Sequence, residues 1–305
     1  VLAVSLKVWH PERLLREEPL ARYTAARLGG PAEYLYVARE SVEELVDVVS
    51  SAWAQHIPVR ILGGGANVLV SDSGVRGLVV INDVSWIDFA DWHDGRNLAA
   101  TSGVGLTVLA RKCQARGLSG LEWAVNVPGT LGGAIVNNAG AHGGDMAASL
   151  CDVVLLDAER GPQMLTVAEL EYGYRTSCLK RRVDRRFIVL MATLALTPSD
   201  PATILERMEH YIAYRKQTQP PGASLGSIFK NPPSDYAGRL IEAAGLKGFR
   251  IGGAQISPVH ANFFINAGGA TAADYYALIC HARETVQQKM DVELELEVEL
   301  VGERF

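Results

Sequence analysis

The residues that could do chemistry cluster in four short stretches. The first is Ile61-Leu62-Gly63-Gly64-Gly65-Ala66-Asn67-Val68-Leu69-Val70, three glycines set behind a short apolar run. Glycine lets a backbone approach a ligand closely and aim its N–H groups at an anion. The spacing excludes two common nucleotide fingerprints. A GxGxxG would need glycine where Val68 stands, and no GK[ST] follows. A tight turn between strands is the bland alternative. Three consecutive glycines cost backbone entropy, which favours a phosphate cradle.

The second stretch is Val127-Pro128-Gly129-Thr130-Leu131-Gly132-Gly133-Ala134, running on to Asn137, Asn138 and Gly140. Its glycines again offer backbone donors, and Thr130 with the paired asparagines can bond phosphate or ring edges. Two such segments suggest a dinucleotide with its pyrophosphate between them. The cofactor-binding candidates are therefore Leu62, Gly63, Gly64, Gly65, Ala66, Asn67, Val68, Pro128, Gly129, Thr130, Gly132, Gly133 and Asn137.

The third stretch, Tyr174-Arg175-Thr176-Ser177, sets a guanidinium beside hydroxyls. That combination suits a carboxylate or phosphate, because arginine binds both bidentately. An isolated arginine is more often a surface residue. The fourth, Gly226-Ser227-Ile228-Phe229-Lys230-Asn231-Pro232, places a serine behind a glycine in a proline-bounded segment. By default such a hydroxyl bonds its own backbone. Overlapping it, Gly222-Ala223-Ser224-Leu225-Gly226 matches the G-x-S-x-G elbow of hydrolases. That elbow needs a strand before and a helix after, and Pro220-Pro221 and Pro232-Pro233 argue against both.

Other chemistries find little support. The seven histidines show no HExxH spacing, so no metal site is expected. Cys113, Cys151, Cys178 and Cys280 show no CxxC pair, which indicates neither zinc nor a disulfide framework and fits a reducing compartment. The 29 basic and 34 acidic residues give a net charge of −5, without general attraction for nucleic acid or an anionic membrane. The cluster Lys180-Arg181-Arg182 with Arg185-Arg186 reads as a solvated hairpin tip. No signal pattern or spanning apolar run is present. A cytoplasmic monomer that acts on small molecules is expected.

These stretches need a frame. With 305 residues, two domains are expected, and 48% apolar against 21% charged residues is ordinary globular composition. The pattern alternates between strands and helices in an α+β or α/β manner. Residues 1–25 read as a helical leader. Strands are expected at Glu33–Ala38, Val59–Leu62, Gly77–Ile81, Asn97–Thr101 and Ala261–Asn266. Helices are expected at Ser41–His56, with a Ser41/Glu44 capping box, and at Leu106–Arg116, stopped by Gly117. Further helices are expected at Ile204–Lys216, Ser234–Ala244 and Thr271–Met290, the last with a Thr271/Asp274 cap. Thr218–Gly226 reads as a loop. The final strand is the clearest: Val292, Leu294, Leu296, Val298 and Leu300 alternate with Glu293, Glu295, Glu297 and Glu299. Aligned like charges are destabilising, so at most one or two of those glutamates should face a site. The composition shifts at TPSDPAT, which places a boundary at 196/197, with domains 1–196 and 197–305.

Taken together, the stretches resemble the UDP-N-acetylenolpyruvoylglucosamine reductase (MurB) family. The matching pieces are TAARLGGPA (24–32), LGGGANVLVSD (62–72), SGVGL (102–106), VPGTLGGAIVNNAGAHG (127–143), YGYRTS (172–177), GSIFKNP (226–232), AGLKGFRIGGAQIS (244–257), HANFFIN (260–266) and LELEVELVG (294–302). They run in family order over nearly the whole chain. The resemblance implies an α+β chain: a PCMH-type, vanillyl-alcohol-oxidase-like FAD-binding fold, then a smaller α/β substrate-binding domain. It implies non-covalent FAD, NADPH as reductant and reduction of the enolpyruvyl ether of UDP-N-acetylglucosamine to UDP-N-acetylmuramate. By motif, Arg175 matches the family's charge-stabilising arginine, Ser227 its proton donor and Glu297 its terminal glutamate, with Lys230 and Asn231 beside the substrate. An ionised Glu297 would repel a developing enolate, so burial and the anionic substrate are expected to keep it protonated.

There are departures. Ala66 stands where the family usually has serine, His142 where GAYG is common, and Glu299 where arginine is usual. Thr218 falls about where many members carry lysine. Only 51 residues lie between Arg175 and Ser227, which resembles the shorter, type II form. The alternatives are another PCMH-type flavin oxidoreductase and a non-catalytic flavin or nucleotide-sugar binding protein. The set Arg175, Ser227 and Glu297 argues against both.

Overall fold

The computed structural model describes residues 8–90 and 97–305. The described residues divide into two compact units: those within 8–15, 34–63 and 77–213 form one, and residues 16–33, 64–76 and 214–305 the other. They do not follow a linear division at 196/197, because two early segments join the C-terminal part and Pro201–Ala213 stays with the first unit.

The first unit is built on two sheets. One has the order Leu14–Pro19, Pro31–Ala38, Val75–Asn82, Val59–Leu62, with its last pair parallel. Helix α1 (Val42–Ala54) brings Leu45, Val48, Val49 and Ala52 into a core with Tyr36, Leu78 and Val80. The other sheet has the order Gly161–Thr166, Leu150–Asp157, Phe187–Leu194, Leu98–Thr101, Ile87–Asp88, antiparallel throughout. Helices α2 (Leu106–Ala115) and α3 (Leu131–Asn137) share its core through Leu109, Cys113, Leu131 and Ile135. Gly117, at φ +67°, ends α2 as the sequence suggests. Helix α4 is the single turn Cys178–Arg181.

Helix α5 (Pro201–Thr218) passes through the change of unit. The second unit carries a four-stranded antiparallel sheet in the order Ser224–Ser227, Phe263–Asn266, Ala254–Ile256, Arg250–Ile251. Helices α6 (Ala237–Ala243) and α7 (Ala272–Met290) bury Leu240, Ile241, Tyr275, Leu278 and Ile279 with Phe229 and Phe264. Thr271 and Asp274 form the expected reciprocal box on α7. Among the described residues no helix is long and apolar enough to cross a membrane.

Several expectations need correction. The leader is a 3-10 turn at Pro11–Arg13 and a strand at Leu14–Pro19, not a helix; residues 1–7 lie outside the described residues. Sheet pairing overrides the weak helical pattern between the two prolines. Within Thr218–Gly226, Thr218 belongs to α5 and a strand begins at Ser224. That strand pairs Ser224 with Ile265, so the strand–turn–helix of a hydrolase elbow is absent there. The basic cluster is no hairpin tip, since Ser177 caps α4 through the Lys180 N–H. Arg182 then pairs with Asp157 at 2.6 Å. The terminal strand narrows to Glu299–Val301, which pairs in parallel with Val68–Val70. Before it the chain faces the irregular segment after Ser227 and makes a single bridge, Leu296 to Phe229.

The Ser41/Glu44 box is half formed. Ser41 Oγ accepts the Glu44 N–H at 3.2 Å, but the Glu44 carboxylate takes the Arg39 and Glu40 N–H groups at 2.9 and 2.8 Å. It also accepts the Tyr36 hydroxyl at 2.7 Å and Arg13 at 3.1 Å. Burial alone would raise this carboxyl. The Glu40 N–H, the Tyr36 hydroxyl, the Arg39 N–H and Arg13 outweigh it and hold the group below the usual range. Its stabilisation is therefore complete above the ordinary glutamate value and lost as pH falls through the lower native value. Glu44→Gln should cost about 2–4 kcal/mol, because buried donors lose their anion. Urea unfolding at neutral pH reads that loss, and the variant's stability should also fall less than the wild type's between about pH 5 and about pH 3.

Candidate active site

In the first unit the glycine segments meet. A Cβ on Gly63 would lie 2.1 Å from Thr130 Oγ1, and one on Gly132 would lie 2.9 Å from the Ser102 Cβ. Glycine here permits close backbone approach. The Leu131 and Gly132 N–H groups at the start of α3 donate to the Val104 and Ser102 carbonyls, both at 2.8 Å. These two donors are thus engaged by protein, contrary to the idea that the segment's glycines mainly expose N–H groups. Gly133 differs: a Cβ there would meet only Thr130 Oγ1, at 3.9 Å, leaving that side open for a ligand to approach. Asn137 turns back onto its own helix, donating to the Gly133 carbonyl at 2.9 Å.

The other end of α3 holds Arg175. Gly173 and Thr176 exchange N–H···O bonds of 3.1 and 3.2 Å around the tight turn Tyr174-Arg175. Arg175 sits at φ +56°, a region side chains seldom adopt. Its guanidinium donates to the Gly140 carbonyl at 2.6 Å and the Asn138 carbonyl at 3.4 Å. The Tyr172 hydroxyl donates to the Ile135 carbonyl at 2.9 Å, and Ser177 Oγ to the Val136 carbonyl at 2.6 Å. Asn138, itself left-handed, returns a bond from Nδ2 to the Gly173 carbonyl at 3.1 Å. One six-residue segment thus satisfies the Ile135 and Val136 carbonyls of α3 and sets a cation at its negative end. His142, at the tip of the next turn, stacks on Tyr211 with ring centres 4.2 Å apart.

Ser227 and Glu297 lie in the second unit. Gly226, at φ +76°, precedes Ser227 where the strand register shifts, and Ser227 then pairs with Phe263. Among the described residues the Ser227 hydroxyl has no hydrogen-bond partner, so it is not the self-bonded loop serine of the default reading. The Ile228 carbonyl accepts the Glu297 N–H at 2.9 Å, which sets Ser227 and Glu297 on adjoining backbones. Asn262 secures the segment: its carbonyl accepts the Ile228 N–H at 2.9 Å, its Oδ1 the Phe229 N–H at 3.0 Å, and its Nδ2 donates to the Phe229 carbonyl at 2.8 Å.

Lys230 reaches Glu295 at 2.5 Å, and Asn231 accepts the Ala237 N–H that opens α6 at 3.1 Å. Asn67 donates its amide to the Glu297 carbonyl at 3.1 Å. The role of Asn67 in holding Glu297, and those of Asn138 and Asn262, were missed by sequence reasoning. Each had a signal, an asparagine inside a quoted motif, but no local pattern names its partner. Of the four terminal glutamates, Glu293 and Glu295 are exposed while Glu297 and Glu299 are half-buried. Among the departures, Thr218 bonds the Tyr214 carbonyl at 2.8 Å and Glu299 donates its N–H to Asn67 at 3.0 Å.

Residues 34–156 match the family model of the FAD binding domain, which spans both sides of the Gly63–Thr130 contact. Residues 217–301 match the C-terminal domain of UDP-N-acetylenolpyruvoylglucosamine reductase. Fold and site thus define a flavoprotein oxidoreductase with a PCMH-type FAD-binding domain and a smaller second domain. A solved structure, UDP-N-acetylenolpyruvylglucosamine reductase (MurB) from Thermus caldophilus, superposes with a TM-score of 0.79 at 36% identity, covering 95% of this chain and 99% of that one. UDP-N-acetylenolpyruvoylglucosamine reductase 2 from Symbiobacterium thermophilum is 43% identical over 96% of this chain and 93% of its own length. A Synechococcus relative of the same name is 46% identical over 93% of this chain and 90% of its own. The chain belongs to the UDP-N-acetylenolpyruvoylglucosamine reductase family.

The residues present fit FAD. The two segments touch where neither tolerates a larger side chain, and the face at Gly133 and Thr130 stays open. Gly63→Ala should therefore weaken FAD retention about tenfold or more, by forcing the segments apart. Adding Thr130→Gly should recover part of that loss. Flavin fluorescence on dilution measures both, and undiminished retention in Gly63→Ala would count against the contact.

Proposed function

We propose that this chain reduces the enolpyruvyl ether of UDP-N-acetylglucosamine to UDP-N-acetylmuramate, a step of peptidoglycan precursor synthesis. It would act as a cytoplasmic monomer. Residues 1–196 would chiefly carry FAD and residues 197–305 the substrate. Leu62–Val68, Pro128–Thr130, Gly132, Gly133 and Asn137 would hold the cofactor. FAD bound there would supply the hydride chemistry for C3 of the enolpyruvyl group, with NADPH as the reductant.

The protein's part is to manage the charge and the proton. Arg175, held at the C-terminal end of α3 by the Asn138 and Gly140 carbonyls, offers its cation to the substrate carboxylate as charge builds at C2. Ser227 donates its proton to C2 and regains one from solvent. Serine is a weak acid, so this role needs close positioning and a strongly basic acceptor. Glu297, in its protonated form, donates a hydrogen bond to the same developing charge. Lys230 and Asn231 would flank the substrate, Lys230 by releasing Glu295. The observation that supports this reading is the 2.9 Å bond from the Glu297 N–H to the Ile228 carbonyl, which ties the backbone of Glu297 to the residue after Ser227.

Ser227→Ala should bleach normally with NADPH, while anaerobic reoxidation by the UDP-enolpyruvyl sugar slows by about 10²-fold or more. Reoxidation near the wild-type rate would remove Ser227 from the role. Glu297→Gln should leave the pH profile of reoxidation nearly unchanged, since an amide also donates; a large loss would argue for an ionised Glu297.

A further inference from the structure

One half-buried titratable group stands outside this chemistry. His260 opens the HANFFIN segment, and its Nδ1 lies 3.2 Å from the Asn262 N–H. That nitrogen accepts only in the neutral ring with the proton on Nε2. Asn262 is the residue that clamps Ile228 and Phe229 through three hydrogen bonds. Ile228 in turn holds Glu297. A single acceptor on His260 therefore stands at the base of the ladder that carries Ser227 and Glu297.

The surroundings fix the ring. Ser257 Oγ accepts the Val259 and His260 N–H groups at 3.0 and 3.3 Å. The Phe263 ring meets the imidazole edge-on with centres 4.8 Å apart. On α6, Gly238 leaves room: a Cβ there would stand 3.0 Å from His260 Cε1. The charged groups acting on it are Glu242 of α6 and Lys247, which pair with each other at 2.8 Å. Burial, the largest influence, lowers the basicity of this imidazole; a backbone hydrogen bond and Glu242 pull the other way, Lys247 adds to the burial, and the net shift is downward.

We propose that His260 is a positioning residue for the proton-donating step, its neutral Nδ1 holding Asn262 and through it the Ser227 segment. This rests on the reading that Ser227 supplies the proton. Protonation turns Nδ1 into a donor facing a donor, and the clamp loosens. Desolvation lowers the basicity of the ring, so the effect belongs below the ordinary histidine range.

The test uses the FAD-loaded, full-length protein reduced with NADPH. Its reoxidation by the UDP-enolpyruvyl sugar is followed from about pH 8 to about pH 5. The wild type should lose rate on the acid side, about tenfold per pH unit once the ring is protonated, whereas bleaching by NADPH should not show this limb. His260→Asn keeps an oxygen able to accept the N–H two residues on and does not titrate. It should hold the pH 8 rate within about threefold and lose the acid limb. His260→Ala should be slowed about tenfold or more at every pH. An acid limb that survives His260→Asn, or wild-type reoxidation in His260→Ala, would overturn the role. Nitrogen NMR of the wild type, which needs no variant to fold, should find Nδ1 unprotonated at pH 8; a proton there would equally overturn it. The two failures separate, because fast reoxidation in Ser227→Ala sinks the proton-donor reading, whereas a persistent acid limb in His260→Asn sinks only the positioning role.

Discussion

A helix of seven residues has more orphan backbone groups than internal bonds, and α3 lives under that constraint. Left alone it would be marginal. Its first N–H groups are taken by the Val104 and Ser102 carbonyls, two of its last carbonyls by Tyr172 and Ser177, and the Asn138 carbonyl just beyond by Arg175. Each bond contributes on the order of 1 kcal/mol net, but leaving a buried carbonyl unpaired costs more. The helix therefore exists because two distant loops complete it. The reverse also holds. Arg175 keeps a rare left-handed backbone because its side chain and its turn are both anchored to that helix.

The second unit solves the same problem with one amide. The segment after Ser227 is too irregular to ladder with the terminal strand, and only one bridge forms. Asn262 secures that segment by gripping Ile228 and Phe229 with both functions of its side chain and its own carbonyl. Asn67 does the same for the far side of Glu297. Asparagine suits these posts because it donates and accepts from one rigid, uncharged group. A carboxylate would leave a carbonyl unpaired, and a lysine would leave an N–H unpaired.

This explains what was legible in the sequence. Elements governed by nearby residues were read well: α7 with its Thr271/Asp274 box, α2 with its Gly117 stop, and the strand at Val59–Leu62. Elements governed by distant partners were not. The strand at Leu14–Pro19 is defined by its neighbour in the sheet, and Ser224–Ser227 becomes a strand only against Phe263–Asn266. Glu44 had the right spacing for its box yet gave its oxygens to Arg39, Glu40, Tyr36 and Arg13. The chemical residues followed the same rule. Arg175 and Ser227 gained meaning through the family resemblance, because neither spacing nor composition places a partner 35 residues away, as Gly140 is from Arg175.

The glycine segments show how residue type and role come apart. A glycine can serve an anion by freeing an N–H, or serve the fold by removing a Cβ. Gly132 serves the fold: its N–H is spent on Ser102, and its missing Cβ admits the same residue. Gly63 also serves by absence, admitting Thr130. What remains for a phosphate is the open side at Gly133 and Thr130. The replacement of the family's usual serine by Ala66 removes a hydroxyl from the first segment. The architecture that brings the segments together survives it, because that contact depends on Gly63 and Thr130. A cofactor site built from backbone approach tolerates the loss of one side-chain bond more readily than the gain of one Cβ.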